Sequence, residues 1–439
     1  MAARACEQPD GRISEVFEDL GELHGAYDFV ESDHVPPAEL TAAMGRATAR
    51  RCVGLPFVHV AVDGSSLTLP DHDRAKDFGA IGSGPSPSRG LKVISALAVD
   101  GQGATVGLLA QQWWARTHGK KKSRVQRARL ALEQKETRHW VAVFEQANAQ
   151  CAARQIRPWF IVDREGDAGD LLRALLQTEG LFTVRASWDR VVQSAGKDTQ
   201  YLRATLAAKR PQNVYEMQVP GGPKRMARVA RMELRAMQVT VRLRDAWSKK
   251  DSWIELSAVW ALEVGTTPDG EKPLDWLLYT NVPVRDAQQA RRIVRSYATR
   301  WRIEDFHKTW KSAKCNVERT QLRTAQGVVR WATILAAVAT RIERLKHLAR
   351  TTPDQPASAE LTDEEIHVLV ALARRIKKRA EPVPSESLTI GRALEWIARL
   401  GGYTGKSSGG PPGSITIGRG LERLQTAVEG VRAVRELDG

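Results

Sequence analysis

The first hint of chemistry in this chain is the run from Arg291 to Lys311, RRIVRSYATRWRIEDFHKTWK. Wound at 100° per residue, Tyr297, Arg300, Glu304 and Lys311 fall within about 60° of one another. A carboxylate flanked by two cations and a phenol could hold a phosphate or, through Glu304, help hold a metal ion. The bland alternative is a solvated ion pair worth a few tenths of a kcal/mol. Two further carboxylates stand out. Asp63 ends the apolar stretch of PFVHVAVDGSSLTL, where it either points into a cleft or starts a turn with Gly64. Asp163 closes RPWFIVD and shares its segment with Glu165, Asp167 and Asp170, any of which could be a loop acid or a helix cap. Three carboxylates on two strands and one helix suit hard divalent ions. Two such ions about 3.5–4 Å apart activate a water or 3′-hydroxyl and stabilise the leaving oxygen of a phosphodiester.

The elements that must position these groups follow from hydrophobic periodicity. Ile293, Val294, Trp301, Ile303, Phe306 and Trp310, with no Gly or Pro among them, predict one helix over 291–311. Residues 1 to about 50 read as short helices, one of them opened by Pro36 and Pro37. Strands follow from Pro56, with 91–100 and 104–114 as a hairpin, then one long helix over Lys120–Gln155. A buried strand ends at Asp163, a helix spans Asp170–Leu176 and another strand spans 181–187. Between Tyr201 and Thr280, YLRATLAA, NVYEMQVPG, ARVARMELRAMQVTVRL and WIELSAVWALEV alternate as strands, closing with LDWLLYT (274–280). Beyond about 345 the pattern is helical, punctuated by TTPDQPASAE, EPVPSES and GKSSGGPPG as linkers.

Composition narrows the partners. The 439 residues carry Lys+Arg 66 against Asp+Glu 51, a net charge of +15. That excess points to a polyanion, and the Arg-with-aromatic neighbourhoods favour nucleic acid. The basic clusters Lys120–Lys122 and Arg374–Arg379 would add phosphate affinity without sequence preference. No apolar run approaches the roughly 18 residues of a membrane helix and no leader-like segment opens the chain, so a cytoplasmic protein is expected. Cys6, Cys52, Cys151 and Cys315 lack paired spacing and read as free thiols. The nine His are equally dispersed, which leaves carboxylates to hold any metal.

The order Y-x-x-R-x-x-x-E-x-x-x-x-x-x-K, with Trp301, Arg302, Ile303, Phe306, His307, Lys308 and Trp310 around it, resembles the signature of cut-and-paste DDE transposases of insertion-sequence family four, the group of the Tn-five type. Gly25-Ala-Tyr-Asp-Phe, the D-R-E-x-D text at Asp163 and ARLGGY (398–403) are similar to the same family. The resemblance implies an α/β fold: a ribonuclease-H-like core with a β-rich insertion and helical N- and C-terminal regions, its first strand beside its fourth. The implied boundaries are 1–55 for a shortened DNA-binding part, 56–190 and 286–345 for the core, 191–285 for the insertion, and 346–439 for dimerisation. It also implies Asp63, Asp163 and Glu304 as the catalytic triad on two Mg²⁺ or Mn²⁺ ions when DNA is bound. Tyr297, Arg300 and Lys311 would grip the phosphate beside the cut, Trp276 would stack on a flipped base, and Trp301 and Lys308 would be further DNA contacts. The implied reaction is end nicking, hairpin formation and resolution, and strand transfer, by a homodimer in a synaptic complex on double-stranded DNA at the bacterial nucleoid. The family's longer basic N-terminal region is short here, and ITIGRGLERL lacks the family's closing tryptophan. The alternative reading is therefore a shortened regulatory form that dimerises or competes with a full-length transposase.

Overall fold

The structure, a computed structural model, describes the chain except residues 72–74, 83–87, 117–122, 124–125, 127–129, 195–198, 220, 222–224, 246–249, 377–387, 406–409 and 439. It is a mixed α/β protein whose sheet strands pair mostly antiparallel, and it divides into two compact units. One comprises residues 53–63 and 119–301, the other 1–52, 64–118 and 302–439.

In the first of these, the opening residues of strand β1 (Val58–Thr68) pair parallel with β5 (Pro158–Val162), from Val58↔Pro158 to Val62↔Val162. Strand β6 (Leu181–Arg185) continues the parallel set on the far side of β5, with Val162↔Val184 in register. Every residue of β5 is buried. That is the expected state of a central parallel strand, and explains why PWFIV is apolar throughout instead of alternating. Helix α4 (Thr137–Ala152) packs on β5, and α5 (Gly169–Gln177) connects β5 to β6. The sheet then turns antiparallel through β12 (Asp275–Thr280), β11 (Asp251–Glu263) and the long β10 (Arg228–Arg244). Strands β9 (Asn213–Val219) and the short β7 (Val191–Val192) both pair with β10, and β8 (Gln200–Tyr201) pairs with β7. Over this surface lies α7 (Ala287–Ala298), which sends Ala290, Ile293, Val294 and Tyr297 into one core with Trp159, Ile161, Met232, Val259 and Leu278. Side chains buried this fully contribute about 1.5–3 kcal/mol each. That core fixes α7 over the parallel strands.

In the other unit, β3 (Ser88–Val99) and β4 (Thr105–Trp114) form the expected antiparallel hairpin, and the short β2 (Gly79–Ile81) pairs with β3. Against β4 pack α3 (Pro37–Arg51) and α9 (Ala325–Thr351). The approach of α3 is close enough that a Cβ on Gly107 would lie 2.4 Å from the Thr48 hydroxyl. Helices α1 (Ala2–Glu7), α2 (Leu20–Glu31), α11 (Ile390–Leu400) and α12 (Ser414–Asp438) also pack on α9. Helix α10 (Asp363–Ile376) lies against α11 and α12.

The structure corrects several expectations. YLRATLAA forms helix α6 (Leu202–Ala207), because Leu202 and Leu206 bury one turn apart. The long helix expected over Lys120–Gln155 is interrupted by a 3₁₀ turn at Leu132–Gln134, after which α4 starts at Thr137; Lys120–Lys122 lie outside the described residues, as do Lys377 to Arg379 of the second basic cluster. Helix α12 follows directly on the GKSSGGPPG linker and includes ITIGRGLERL. All four cysteines are free thiols, as expected.

Candidate active site

Two aspartates arrive side by side through strand register. Val62 and Val162 pair across parallel strands, so Asp63, inside β1, and Asp163, just past the end of β5, follow on the next rung, where strand spacing is about 4.8 Å. Asp63 does not start a turn: β1 runs unbroken through Asp63-Gly-Ser-Ser to Thr68. Asp163 leaves β5 in an extended conformation, and its carboxylate accepts the Glu165 N–H at 2.8 Å, which folds the chain into a 3₁₀ turn. Gly166 lets that turn close, since a Cβ there would lie 2.5 Å from the Val162 side chain. Two of the three rivals of Asp163 have other duties. Asp167 is buried and accepts the Ser187 and Trp188 N–H groups while pairing with Arg190, and Asp170 pairs with Lys135 at 2.9 Å. The register also delivers a residue that the sequence did not single out. Arg185 follows Val184, the partner of Val162, and so lies one strand over from Asp163. Only the three-strand register reveals it.

Cations and aromatics surround the pair. The Arg300 guanidinium approaches Asp63 to 3.9 Å and is itself only 8% exposed. It stacks over Trp301 at 5.4 Å; Arg225 lies 6.0 Å from the same ring, which is 47% exposed. Tyr297 is buried edge-on against half-buried Trp276 at 5.4 Å. Burial pushes its phenol up, against the pull of the Arg300 and Arg185 charges.

The expected single helix over 291–311 is three pieces: α7, then α8 (Trp301–Lys308), then a π turn over Thr309–Ala313. Between α7 and α8 the N–H groups of Thr299 and Arg300 reach back three residues, to Ser296 and Tyr297, instead of four. The Thr299 hydroxyl also donates to the Ser296 carbonyl at 2.7 Å, a side-chain bond that competes with the helical ladder and breaks it without Gly or Pro. The shared face of Tyr297, Arg300, Glu304 and Lys311 is therefore not the face of one helix. Glu304 is half-buried on α8 and Lys308 is exposed. Lys311, on the π turn, donates to the Ser66 carbonyl at 2.7 Å and pairs with Glu318, whose carboxylate also accepts the Thr68 N–H.

Residues 56–341 match the family described as Transposase DDE domain. The chain belongs to the DDE transposases. Residues 337–438 match the Transposase Tn5 dimerisation domain. This transposase is accordingly a DNA-cleaving and strand-transferring enzyme of a family that uses divalent metal ions, and its dimerisation domain implies a homodimer. Among the described residues no helix is long and apolar enough to cross a membrane. A second group went unread in the sequence of this transposase: Asp305, Glu343 and His347 converge, although its histidines look scattered. The available signal was Glu343 and His347 one helical turn apart.

Proposed function

We propose that this transposase performs cut-and-paste transposition with Asp63, Asp163 and Glu304 as its catalytic carboxylates, on a ribonuclease-H-like core divided at the boundaries given above. The observation that carries this reading is the in-register pairing of Val62 with Val162, which sets two carboxylates on adjacent parallel strands at the end where such sheets bind ligands. The donor set fits Mg²⁺ or Mn²⁺: hard oxygens, half-buried, with the Arg300 cation drawn to Asp63 as an ion would be. When bound, the ions supply an activated water or 3′-hydroxyl and stabilise the leaving oxygen. Asp63, Asp163 and Glu304 hold them. Arg300 and Lys311 grip the phosphate beside the cut, with Tyr297 completing the clamp and Arg185 adding a second guanidinium at the strand ends. Trp276, braced against Tyr297, stacks on the base displaced when the freed 3′-hydroxyl attacks the opposite strand to form a hairpin. Trp301 offers an exposed ring, and Lys308 an exposed ammonium, to the same DNA. Hairpin opening and strand transfer follow in a synaptic dimer at the nucleoid.

The test uses duplexes of the DNA that flanks the coding region. Wild type is expected to nick them in Mg²⁺, and Asp63→Asn, Asp163→Asn and Glu304→Gln to bind without nicking. Equal nicking by wild type and Glu304→Gln would overturn the assignment. Binding and dimerisation without cleavage by wild type would favour the regulatory reading.

A further inference from the structure

Asp305 on α8 and Glu343 and His347 on α9 bring one donor atom each to within 4.8 Å of one another, in a single unit of the chain. Glu343 and His347 are fully buried. The outward atoms of both are already held. His347 Nδ1 bonds the Thr105 hydroxyl at 3.1 Å, and Glu343 Oε1 accepts hydroxyl hydrogens from Thr309 and Ser414 at 2.5 and 2.6 Å. That anchoring turns His347 Nε2 toward Glu343 Oε2 and Asp305 Oδ2, each 3.7 Å away. At that separation no hydrogen bond forms, and Nε2 has no partner despite its burial. A tetrahedral ion with ligands at about 2.0–2.2 Å has ligand–ligand edges of roughly 3.3–3.6 Å, close to the observed spacing. Holding the second imidazole nitrogen and the second carboxylate oxygen is the outer support that metal-ligating His and carboxylate side chains receive.

We propose that Asp305, Glu343 and His347 form a second metal site, separate from the catalytic carboxylates and selective for a borderline divalent ion such as Zn²⁺. One imidazole with two carboxylates favours Zn²⁺ over Mg²⁺, which prefers all-oxygen sites that retain water. Lys346 is the ion's main competitor, with Arg302 also 3.8 Å from the Asp305 carboxylate. Its ammonium pairs with Glu343, lies 3.8 Å from Asp305 and bonds the Ser414 hydroxyl at 3.0 Å. Loading requires Nζ to withdraw from the carboxylates toward Ser414. A bound ion would join α8, which carries Glu304, to α9 and would be structural rather than catalytic, since Glu343 and His347 are fully buried and only Asp305 is partly open to solvent.

The test is equilibrium dialysis of the full-length protein against Zn²⁺, with Co²⁺ substitution read from its visible d–d bands. Wild type is expected to bind one Zn²⁺ per chain with a tetrahedral Co²⁺ spectrum. Asp163→Asn should bind it equally, which separates this site from the proposed catalytic one. His347→Gln should lose the ion, Thr105→Val should weaken it about 10- to 100-fold as loss of an outer-shell partner does, and Lys346→Met should tighten it. If neither wild type nor folded Lys346→Met binds Zn²⁺, or if His347→Gln binds as wild type does, the proposal is wrong.

Discussion

Arg300 shows how much a single residue carries here. A guanidinium only 8% exposed, close to Asp63 and stacked on Trp301, is held by geometry rather than by water. Arg185 was illegible in the sequence because its neighbours in space, Asp163 and Tyr297, are far away in the chain, and only β5–β6 register joins them. Asp163 was legible as a strand-end acid, whereas Asp63 lies inside β1. Asp167 and Asp170, two of the rivals of Asp163, are occupied by Arg190 and Lys135, which no local pattern foretells. Loss of one positioned cation on a transition-state phosphate costs about 10²–10³ in kcat. Arg185→Ala is therefore expected to lower single-turnover nicking by that factor while leaving end binding within a few-fold of wild type. Comparable losses in binding and nicking would mean that Arg185 only adds affinity.

Among elements, the parallel strands were the most readable and the signature helix the least. PWFIV and the β1 run announce buried strands by composition, and their pairing follows from the order of elements. Nothing in 291–311 announces a break, because it arises from a threonine hydroxyl taking a backbone carbonyl, not from Gly or Pro. The same weakness of local signals explains α6, where alternation and helical burial coexist in six residues. The turn after Asp163 is the element whose integrity is easiest to test. Gly166→Ala drives a methyl into Val162 and Val184, and overpacking of this kind costs about 1–3 kcal/mol. A lower melting temperature is expected, with a larger proportional loss of nicking because the turn carries Asp163. An unchanged melting temperature would show that the turn relaxes freely.

The whole molecule adds charge and symmetry. A net charge of +15 predicts that binding to a random duplex weakens steeply with salt, falling about 10³-fold or more between 50 and 200 mM if six or more phosphates are contacted. Fluorescence anisotropy at several salt concentrations measures the slope, and a flat response would remove the electrostatic account of DNA affinity. The match to the dimerisation domain over 337–438 extends through α12. The central claim is that Asp63 and Asp163 ligate the catalytic ions. Its most direct test is the metal dependence of nicking by Asp63→Cys and Asp163→Cys, since a thiolate binds the softer Mn²⁺ better than Mg²⁺. The account predicts that both variants are inactive in Mg²⁺ and regain nicking in Mn²⁺; activity in Mg²⁺ equal to wild type would contradict it.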